Sequence, residues 1–483
     1  MALLVGNVLR HAARYTPGRL AATLGHDEVT FGALDDQANR IAHTLAGMGV
    51  VHGDRVAWWG DTSLEALPIF FALANLGAVF APVNARLGPD EAAEVVGYAR
   101  PRLLVVDDAH AELVQEIDTP MATHAHLADA ATHASAAAVQ SPALGERDPH
   151  VIFFTSGSTG RSKGVVLSHR ASCLRSFPPL GADSDGGTVC MFPLFHMAGW
   201  SLALGCWQSR RPIHFVRAPD AETLLHTAER RRATRVYLIP AVWARVLDHG
   251  IKRYDLSSLA EADTGTSATP PELIAAIRDA LPQTVTRVFY GSTEAGPCTV
   301  LAHVDLARKP GSVGLPQPGV DVRLEDGEVC IHSELLMDGY FDQPDATATA
   351  LRDGWYHTGD LGSMDDEGYL SIVGRARDVI RTGGETVAPG EVEAALVTHP
   401  GVREVAVVGL PDAKWGEIVC AVVVPESGAK DALDLGELRA HSAGALAGFK
   451  QPRRLEIVDE LPRTPATGQV QRPLLVERIG SGR

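Results

Sequence analysis

Short apolar segments that alternate with longer helical stretches constrain the fold of this chain more than any other feature. Residues 30–50 carry apolar side chains at helical spacing behind Thr30, which is a suitable N-cap. The other predicted elements of this region are short strands at 55–59, 79–81 and 103–106 and a helix at 64–76. Such alternation predicts an α/β fold with parallel strand pairing.

Size and charge limit the classes of protein to which the chain can belong. A chain of 483 residues is too long for one ordinary core, so we expect two or three domains. It has 43 Lys and Arg against 59 Asp and Glu, a formal charge of −16, which argues against non-specific binding to nucleic acid. Its 45% hydrophobic and 21% charged residues are typical of a globular protein.

Cysteines and apolar runs indicate the compartment. The six cysteines form no CxxC pair, so we expect buried thiols in a reducing environment. The first apolar segment is short and ends at Arg10 and His11, which predicts that no signal peptide is present. No apolar run reaches the roughly 18 residues that a membrane span needs. The predicted location is therefore cytoplasmic.

A change of pattern near residues 375–378 predicts a domain boundary. Residues 311–373 contain many glycines, short apolar segments and turn pairs, which favours a compact β unit. Beyond the boundary, the pattern predicts a small α+β domain. We therefore expect a large N-terminal domain, residues 1–376, of parallel-sheet α/β layers plus the small β unit, and a mobile C-terminal α+β domain, residues 377–483.

A loop rich in glycine and hydroxyl side chains follows the predicted strand at 151–154. In this loop, Thr155–Gly164, small residues let backbone N–H groups approach phosphate oxygens, and Lys163 adds positive charge. It is not a Walker A loop, because Ser162 instead of glycine precedes the lysine. Residues 165–174 are compatible with a helix after the loop. A phosphate-binding loop is thus favoured over a flexible surface loop.

Two further motifs place aromatic and acidic side chains after predicted strands. The segment Tyr290–Glu294 offers a ring that could stack on a base and a carboxylate that could bind Mg²⁺. Asp360 follows a turn, and its carboxylate could accept hydrogen bonds from two ribose hydroxyls. Arg375 is nearby in the sequence. Ligands of open α/β sheets bind at the carboxyl ends of strands, so these positions suit a nucleotide. Each motif alone is also compatible with a solvated strand end.

Together, in this order and spacing, the motifs resemble those of the adenylate-forming superfamily, which includes acyl-CoA synthetases, peptide adenylation domains and luciferases. The branch that the chain resembles is that of the AMP-forming acyl-CoA synthetases, and the resemblance runs from about Thr30 to about Gln471. It rests on FTSGSTGRSKGV at 154–165, YGSTEA at 290–295, YHTGDLG at 356–362, GRARDV at 374–379, GGETVAPGEVEA at 383–394 and LPRTPATGQV at 461–470.

In this superfamily a carboxylate attacks the α-phosphate of Mg-ATP, pyrophosphate leaves, and a thiol then attacks the acyl-AMP. The resemblance implies ATP, Mg²⁺ and CoA as ligands and a small carboxylic acid as substrate, and a homodimer is compatible with it. The hinge of the mobile domain would be Arg377. Gly383 and Gly384 match glycines beside the pantetheine arm, where a missing Cβ leaves room, so CoA is favoured over a carrier protein.

The resemblance also implies roles for individual residues. The groups that would hold the phosphates of ATP are Thr155, Ser156, Gly157, Ser158, Thr159, Gly160 and Lys163. The residues that would contact the adenine, the α-phosphate and the ribose are Tyr290, Gly291, Ser292, Thr293, Asp360 and Arg375. The expected metal ligand is Glu294. The residues expected to act in catalysis are Thr155, Lys163, His196, Glu294 and Gln469.

The acyl pocket is implied by the same resemblance. Trp200, Gly265 and Thr266 would line it. Added hydroxyl groups next to Gly265 favour a more polar, shorter or narrower pocket than a fatty-acid tunnel. His196 would stand between the pocket and the CoA tunnel, although a structural core histidine is equally compatible with the sequence.

The chain departs from the family at Gln469, where the resemblance predicts lysine. That lysine reaches the carboxylate and the α-phosphate during adenylation, and one preorganised donor contributes about 10²–10³ in rate. Glutamine carries no charge, so adenylation is predicted to be weak, whereas thioester formation does not need the residue.

Three explanations of the glutamine stay open. It is a substitution introduced to stall the first step. Alternatively, a natural enzyme tolerates it, for example one that uses a non-CoA acceptor or a diazotase that activates nitrite. Finally, the chain is a non-catalytic protein that binds nucleotide or acyl groups.

Overall fold

A computed structural model describes most of the chain, namely residues 2–114, 117–155, 163–176, 186–375, 378–382, 385–412, 414–428, 433–464 and 468–480. Several of the predicted site residues lie outside these ranges and stay predictions: Ser156, Gly157, Ser158, Thr159, Gly160, Arg377, Gly383 and Gly384.

Helices and strands alternate along the N-terminal part of the chain. The helices are α1 Val5–Tyr15, α2 Phe31–Gly47, α3 Ala66–Leu76, α4 Pro89–Ala99, α5 Asp108–Ala111, α6 His124–Thr132, α7 His169–Arg175, α8 Met197–Gln208, α9 Ala221–Arg230, α10 Pro240–His249, α11 Pro271–Ala280, α12 Pro344–Ala350, α13 Pro389–Leu396, α14 Leu435–Ser442 and α15 Arg472–Gly480. The strands are β1 Leu20–Leu24, β2 Asp27–Thr30, β3 Arg55–Trp59, β4 Val79–Val83, β5 Leu103–Val106, β6 Met121–Thr123, β7 Pro149–Thr155, β8 Lys163–Ser168, β9 Thr188–Cys190, β10 Ile213–Phe215, β11 Arg235–Tyr237, β12 Glu261–Gly265, β13 Val285–Ser292, β14 Gly296–Leu301, β15 Leu315–Pro316, β16 Val320–Glu325, β17 Glu328–Ser333, β18 Gly339–Tyr340, β19 Leu351–Arg352, β20 Trp355–Met364, β21 Leu370–Arg375, β22 Ile380–Thr382, β23 Glu385–Val387, β24 Val402–Asp412, β25 Gly416–Pro425 and β26 Arg454–Ile457.

The first elements form as the sequence predicts. Helix α2 begins behind Thr30, whose Oγ1 accepts a hydrogen bond from the Ala33 N–H at 3.3 Å. Helix α3 ends at Gly77, which adopts a left-handed φ of 75° that a side chain would disfavour. Every residue of α3 is buried, which is typical of a helix that is apolar all round.

Two large sheets hold most of these strands. One has the order β18-β8-β7-β4-β3-β5-β6, and its strands from β7 to β6 run parallel. The other has the order β15-β14-β13-β12-β11-β9-β10-β1-β2, with parallel pairing from β13 to β1. The predicted α/β fold with parallel pairing is confirmed. No helix among the described residues is long and apolar enough to cross a membrane.

The predicted helix at 165–174 is wrong. Strand β8 occupies its first part and pairs antiparallel with β7, so that Thr155 lies opposite Lys163. Helix α7 begins only at His169. The β-branched pair Val165–Val166 packs well on a pleated, half-buried surface, which explains the strand. The residues that flank the predicted phosphate loop are therefore two paired strand ends.

By their internal contacts the residues form two compact units. The first consists of Met1–Pro310, Pro316–Asp321 and His332–Tyr356, and the second of Gly311–Leu315, Val322–Ile331 and His357–Arg483. In the second unit β23-β22-β25-β24 form a sheet in that order, with β26 parallel to β25, over a core of valines and leucines. The predicted domain boundary between residues 376 and 377 stays a prediction.

A small sheet pairs β16, β17, β20 and β19 in that order, with β21 against β20. The hairpin of β16 and β17 turns at Asp326 and Gly327, whose φ angles are 50° and 84°. Two successive positive φ angles define the tight turn that suits the twist of paired strands. This turn was one of the turn pairs visible in the sequence.

Candidate active site

The hairpin of β7 and β8 holds the two ends of the predicted phosphate loop. Thr155 Oγ1 donates a hydrogen bond to the carbonyl oxygen of Lys163 at 3.4 Å. The Lys163 ammonium lies 4.6 Å from the centre of the Tyr340 ring, which is a cation–π contact. The described ends of the loop thus present a lysine whose position is fixed by an aromatic ring.

Tyr340 links this lysine to the predicted metal ligand. Its hydroxyl donates a hydrogen bond to Glu294 Oε1 at 3.1 Å, and the residue is only 8% exposed. Lys163 and Glu294, which the sequence assigned to one site, are therefore brought together by a shared neighbour. Tyr340 is not among the residues predicted from the sequence, because only its strand pairing with β8 places it there.

A tight turn between β13 and β14 carries the Tyr290–Glu294 motif. Ser292 Oγ accepts a hydrogen bond from the Ala295 N–H at 3.1 Å, and the next strand begins at Gly296, whose φ is 74°. A Cβ at Gly291 would lie 2.1 Å from the carbonyl oxygen of Gly296, so only glycine permits this close approach. The turn leaves little conformational freedom to the residues at its tip.

Arg175 holds the backbone of this turn from the protein interior. Its guanidinium donates hydrogen bonds to the carbonyl oxygens of Thr293 at 2.6 Å, Glu294 at 2.7 Å and Leu335 at 2.6 Å. The residue is 5% exposed, and burial lowers its pKa to about 10, so it remains protonated at neutral pH. Charge-assisted hydrogen bonds of this kind are strong. No local pattern in the sequence indicates this role.

His196 caps helix α8 and stands beside an aromatic ring. Its Nδ1 accepts a hydrogen bond from the Ala198 N–H at 3.2 Å, and its ring stacks on Phe192 with 5.7 Å between the ring centres. Burial lowers the pKa of His196 to about 4, so the imidazole is neutral at pH 7. The capping bond supports the structural alternative, and the catalytic role stays a prediction.

Gly265 and Thr266 form a strained segment at the end of β12. Their φ angles are 154° and 68°. A β-branched residue in the left-handed region is rare and costs about 1–3 kcal/mol. A Cβ at Gly265 would lie 2.2 Å from the carbonyl oxygen of Phe289 and 2.8 Å from the hydroxyl of Tyr237. Strain of this kind is often found where a ligand is bound.

Trp200 lies in the hydrophobic core. It is 2% exposed, its ring stacks on Phe70 with 3.9 Å between the ring centres, and it meets Phe80 edge-on. Its indole N–H donates a hydrogen bond to the carbonyl oxygen of Leu194 at 2.6 Å. These contacts are those of a packing residue, and the role of Trp200 in the acyl pocket stays a prediction.

In the second unit, the pairing of β20 with β21 joins the two residues predicted to hold the ribose. Asp360 lies opposite Arg375, and Arg375 Nε is 2.6 Å from Asp360 Oδ1. The Asp360 N–H donates to Thr358 Oγ1 at 3.0 Å, and Thr358 Oγ1 in turn donates to the carbonyl oxygen of Val329 at 2.7 Å. Backbone and side chain together fix the direction of the carboxylate.

Gln469 lies at the end of a short loop of the second unit and is exposed. The Thr464 N–H donates to the carbonyl oxygen of Gln469 at 2.7 Å, and the Gln469 N–H donates to Thr464 Oγ1 at 3.1 Å. Arg463 donates to the carbonyl oxygen of Gly468 at 2.8 Å and pairs with Glu404. Both of the bonds between Gln469 and Thr464 involve the backbone of Gln469.

Comparison with known proteins gives matches over almost the whole chain. The family model described as AMP-binding enzyme matches residues 9–341, and that of the AMP-binding enzyme C-terminal domain matches residues 391–467. Feruloyl-CoA synthase of Amycolatopsis sp is 35% identical over 97% of each chain. Indoleacetate–CoA ligase of Aromatoleum aromaticum is 32% identical over 96% of this chain and 95% of its own. Among solved structures, ATP-bound MatB from Rhodopseudomonas palustris has a TM-score of 0.88 and 30% identity over 99% of each chain.

Proposed function

The chain belongs to the AMP-binding enzyme family, and on this premise we propose that Gln469 slows the first half-reaction of an AMP-forming acyl-CoA synthetase. The synthetase activity itself follows from the family and from CoA ligases that match nearly the whole chain. A carboxylic acid reacts with ATP to give acyl-AMP and pyrophosphate, and the thiol of CoA then takes the acyl group and releases AMP. The ligands of this activity are ATP, Mg²⁺ and CoA.

In the first half-reaction a carboxylate oxygen attacks the α-phosphorus, and the bond to pyrophosphate breaks. Lys163 is assigned to the leaving phosphates, since its ammonium is held at the mouth of the loop by Tyr340. Glu294 fits Mg²⁺, because a carboxylate is the kind of oxygen ligand that this ion prefers and Tyr340 orients it. Bound there, the ion would neutralise phosphate charge.

The other groups of the site position the nucleotide and the acyl group. The backbone of Thr293, fixed by Arg175, is assigned to the α-phosphate. The ion pair of Asp360 and Arg375 is assigned to the ribose. Since the imidazole of His196 is neutral, it orients and encloses the acyl group without adding charge.

The observation that carries the proposal is the glutamine itself, at the position where the resemblance to the family predicts lysine. Preorganised charge at a developing oxyanion contributes about 10²–10³ in rate, and a neutral amide retains only part of it.

Pyrophosphate release with a panel of carboxylic acids tests the proposal. Gln469→Lys should raise the rate of release by about 10²–10³. Thioester formation from a synthetic acyl-adenylate and CoA should stay unchanged. A matched control is Gln471→Lys, which adds the same charge two residues away. An equal rise with the control variant would overturn the assignment to position 469.

The same measurement separates the alternatives. Release from neither form, together with retained ATP binding, would support the non-catalytic binder. Robust release from the native chain would show that this enzyme tolerates glutamine. The two relatives named above are a feruloyl-CoA synthase and an indoleacetate–CoA ligase, which favours CoA as the acceptor over a diazotase. A cytoplasmic location and a homodimer stay predictions, the second of which light scattering would check.

A further inference from the structure

Four rings of the first unit contact one another in a row, and the Tyr237 hydroxyl in this row lies beside Gly265, at the carboxyl end of β12. Phe192 stacks on His196 and meets Tyr237 edge-on with 5.5 Å between the ring centres, and Tyr237 lies 5.8 Å from Phe289. We call these four residues the aromatic wall. Flat ring faces and edges pack well against another planar group. Phe192 is buried, whereas the rings of His196, Tyr237 and Phe289 are partly exposed and suit an acyl group that is itself planar.

The Tyr237 hydroxyl brings a hydrogen-bonding group to the aromatic wall. In the part of the chain that the structure describes, the Tyr237 hydroxyl makes no hydrogen bond, although tyrosine in such surroundings usually finds a partner. Burial, and the charge of Asp263 after it, raise the pKa of Tyr237, so the hydroxyl keeps its proton. A Cβ at Gly265 would lie 2.8 Å from this oxygen, so the glycine permits the close approach of β12 to the hydroxyl.

A layer of buried charges lies nearer the amino ends of the same strands. Asp263 is 0% exposed and accepts hydrogen bonds from Arg235 Nε at 2.7 Å and Arg287 Nε at 2.8 Å. Arg287 also pairs with Glu261. Burial favours the neutral form of Arg287, but the two carboxylates outweigh burial and raise its pKa, so the layer remains charged. Asp263 precedes Gly265 by two residues, or about 7 Å along the strand.

This charged layer limits the length of the acyl group. A methylene chain that continued past the layer would have to separate Asp263 from its two arginines. Separating a buried ion pair is strongly unfavourable, because it leaves uncompensated charge in the interior. The layer therefore sets the depth to which an acyl group can enter, about two residues before the carboxyl end of β12.

From these observations we infer that the enzyme selects a compact aromatic carboxylic acid with a hydrogen-bonding group, such as a hydroxyl, on its ring. Tyr237 is the residue that recognises this group, and the charged layer excludes long alkyl chains. The inference rests on the proposed function, since it places the acyl group of that reaction beside β12 and β13. A site built to hydrogen-bond a substrate hydroxyl discriminates against the analogue that lacks it.

Binding of stable acyl-adenylate analogues, with a sulfamoyl group in place of the phosphate, tests the inference without requiring turnover. The probes are the 4-hydroxybenzoyl, benzoyl and palmitoyl analogues, and the measurement is Kd by calorimetry. For the native chain we expect the 4-hydroxybenzoyl analogue to bind about tenfold more tightly than the benzoyl analogue. The palmitoyl analogue should bind at least about 100-fold more weakly than the 4-hydroxybenzoyl analogue.

The variant Tyr237→Phe keeps the ring and removes the hydroxyl, so the preference for the hydroxylated analogue should fall to about one. Tyr15→Phe, at an exposed tyrosine, should leave the preference unchanged. An unchanged preference in Tyr237→Phe, or palmitoyl binding as tight as aryl binding, would overturn the inference while leaving the synthetase assignment intact. Failure of all three analogues to bind would instead contradict the nucleotide site on which the proposed function depends.

Discussion

Two arginines hold two functional turns of this protein in opposite surroundings. Arg175 is 5% exposed and donates to three backbone carbonyl oxygens around the turn that carries Glu294. The side chain of Arg463 is 39% exposed, and this residue donates to one carbonyl oxygen, that of Gly468, beside Gln469. The first turn is fixed by the core of its unit, and the second by a few exposed bonds.

The difference explains which part of the site can change without damage to the fold. A buried turn that depends on a charged side chain cannot lose it without leaving carbonyl groups unsatisfied. An exposed bond to one carbonyl oxygen contributes less to the fold than a buried guanidinium that serves three. The predicted departure from the family, at Gln469, lies beside the exposed arginine.

Removal of the buried arginine should have the largest effect. Arg175→Ala leaves three carbonyl oxygens without their donor, so the free energy of unfolding should fall by about 3 kcal/mol or more. Arg463→Ala, the matched exposed change, should lower it by less than about 1 kcal/mol. Urea unfolding followed by circular dichroism measures both. Equal losses would remove the distinction between the two turns.

Acid should destabilise the first unit through its buried neutral histidines. His169 is fully buried, its Nδ1 accepts a hydrogen bond from the Val5 N–H at 3.2 Å, and burial lowers its pKa to about 4. The His150 ring stacks on the His169 ring with 4.9 Å between the ring centres. Asp148 raises the pKa of His169 and His52 lowers it. The unfolded chain thus binds a proton between pH 6.5 and 4 that the folded chain does not.

Stability contributed by neutral His169 is therefore lost as the pH falls through this window. One such group costs about 2 kcal/mol at pH 5. His169→Asn keeps an acceptor for the Val5 N–H and cannot be charged. Urea titrations at pH 7 and pH 5 should show a smaller loss for this variant than for the native chain. A loss of the same size in both would exclude His169 as a source of the acid sensitivity.

A smaller effect is expected at the link between the lysine and the predicted metal ligand. Tyr340→Phe keeps the ring beside Lys163 and removes the hydrogen bond to Glu294. One such bond contributes about 1 kcal/mol, so the KM for Mg-ATP should rise about fivefold. Initial rates at varied Mg-ATP concentration measure this. The exposed Tyr15→Phe serves as control, and a KM raised equally by both would argue against an orienting role for Tyr340.

The sequence predicts those features of the fold that depend on residues close together in the chain. The N-cap at Thr30, the left-handed end at Gly77 and the turn at Asp326 follow from local chemistry, and all form as expected. Asp360 and Arg375 were predicted to act together, and strand pairing places them in contact. In each case a few adjacent residues contain the information.

What the sequence does not predict depends on contacts between distant segments. Tyr340 reaches Lys163 only because β18 adds to the edge of β8, and no local pattern encodes that pairing. Arg175 resembles any basic residue at a helix end until the fold surrounds it with carbonyl groups. The same limit explains the wrong helix at 165–174, where pairing with β7 overrides a helix-compatible pattern.

The smallest predicted effect is a gain in stability, and it comes from the relief of backbone strain inside the first unit. Thr266 has a φ of 68°, which is unfavourable for a β-branched side chain, and its Oγ1 donates to the carbonyl oxygen of Gly265 at 2.6 Å. Thr266→Gly relieves the strain but gives up the hydrogen bond and gains entropy in the unfolded chain. The variant should therefore be more stable by only about 0.5–1 kcal/mol. A rise in Tm by differential scanning calorimetry checks this, and Thr269→Gly, at a half-buried threonine nearby, is the control. If Thr266→Gly lowers Tm instead, the strained segment contributes to stability through its contacts. The end of β12 would then resemble the buried turn at Glu294, because its backbone would also be held in place by contacts with the interior of the first unit.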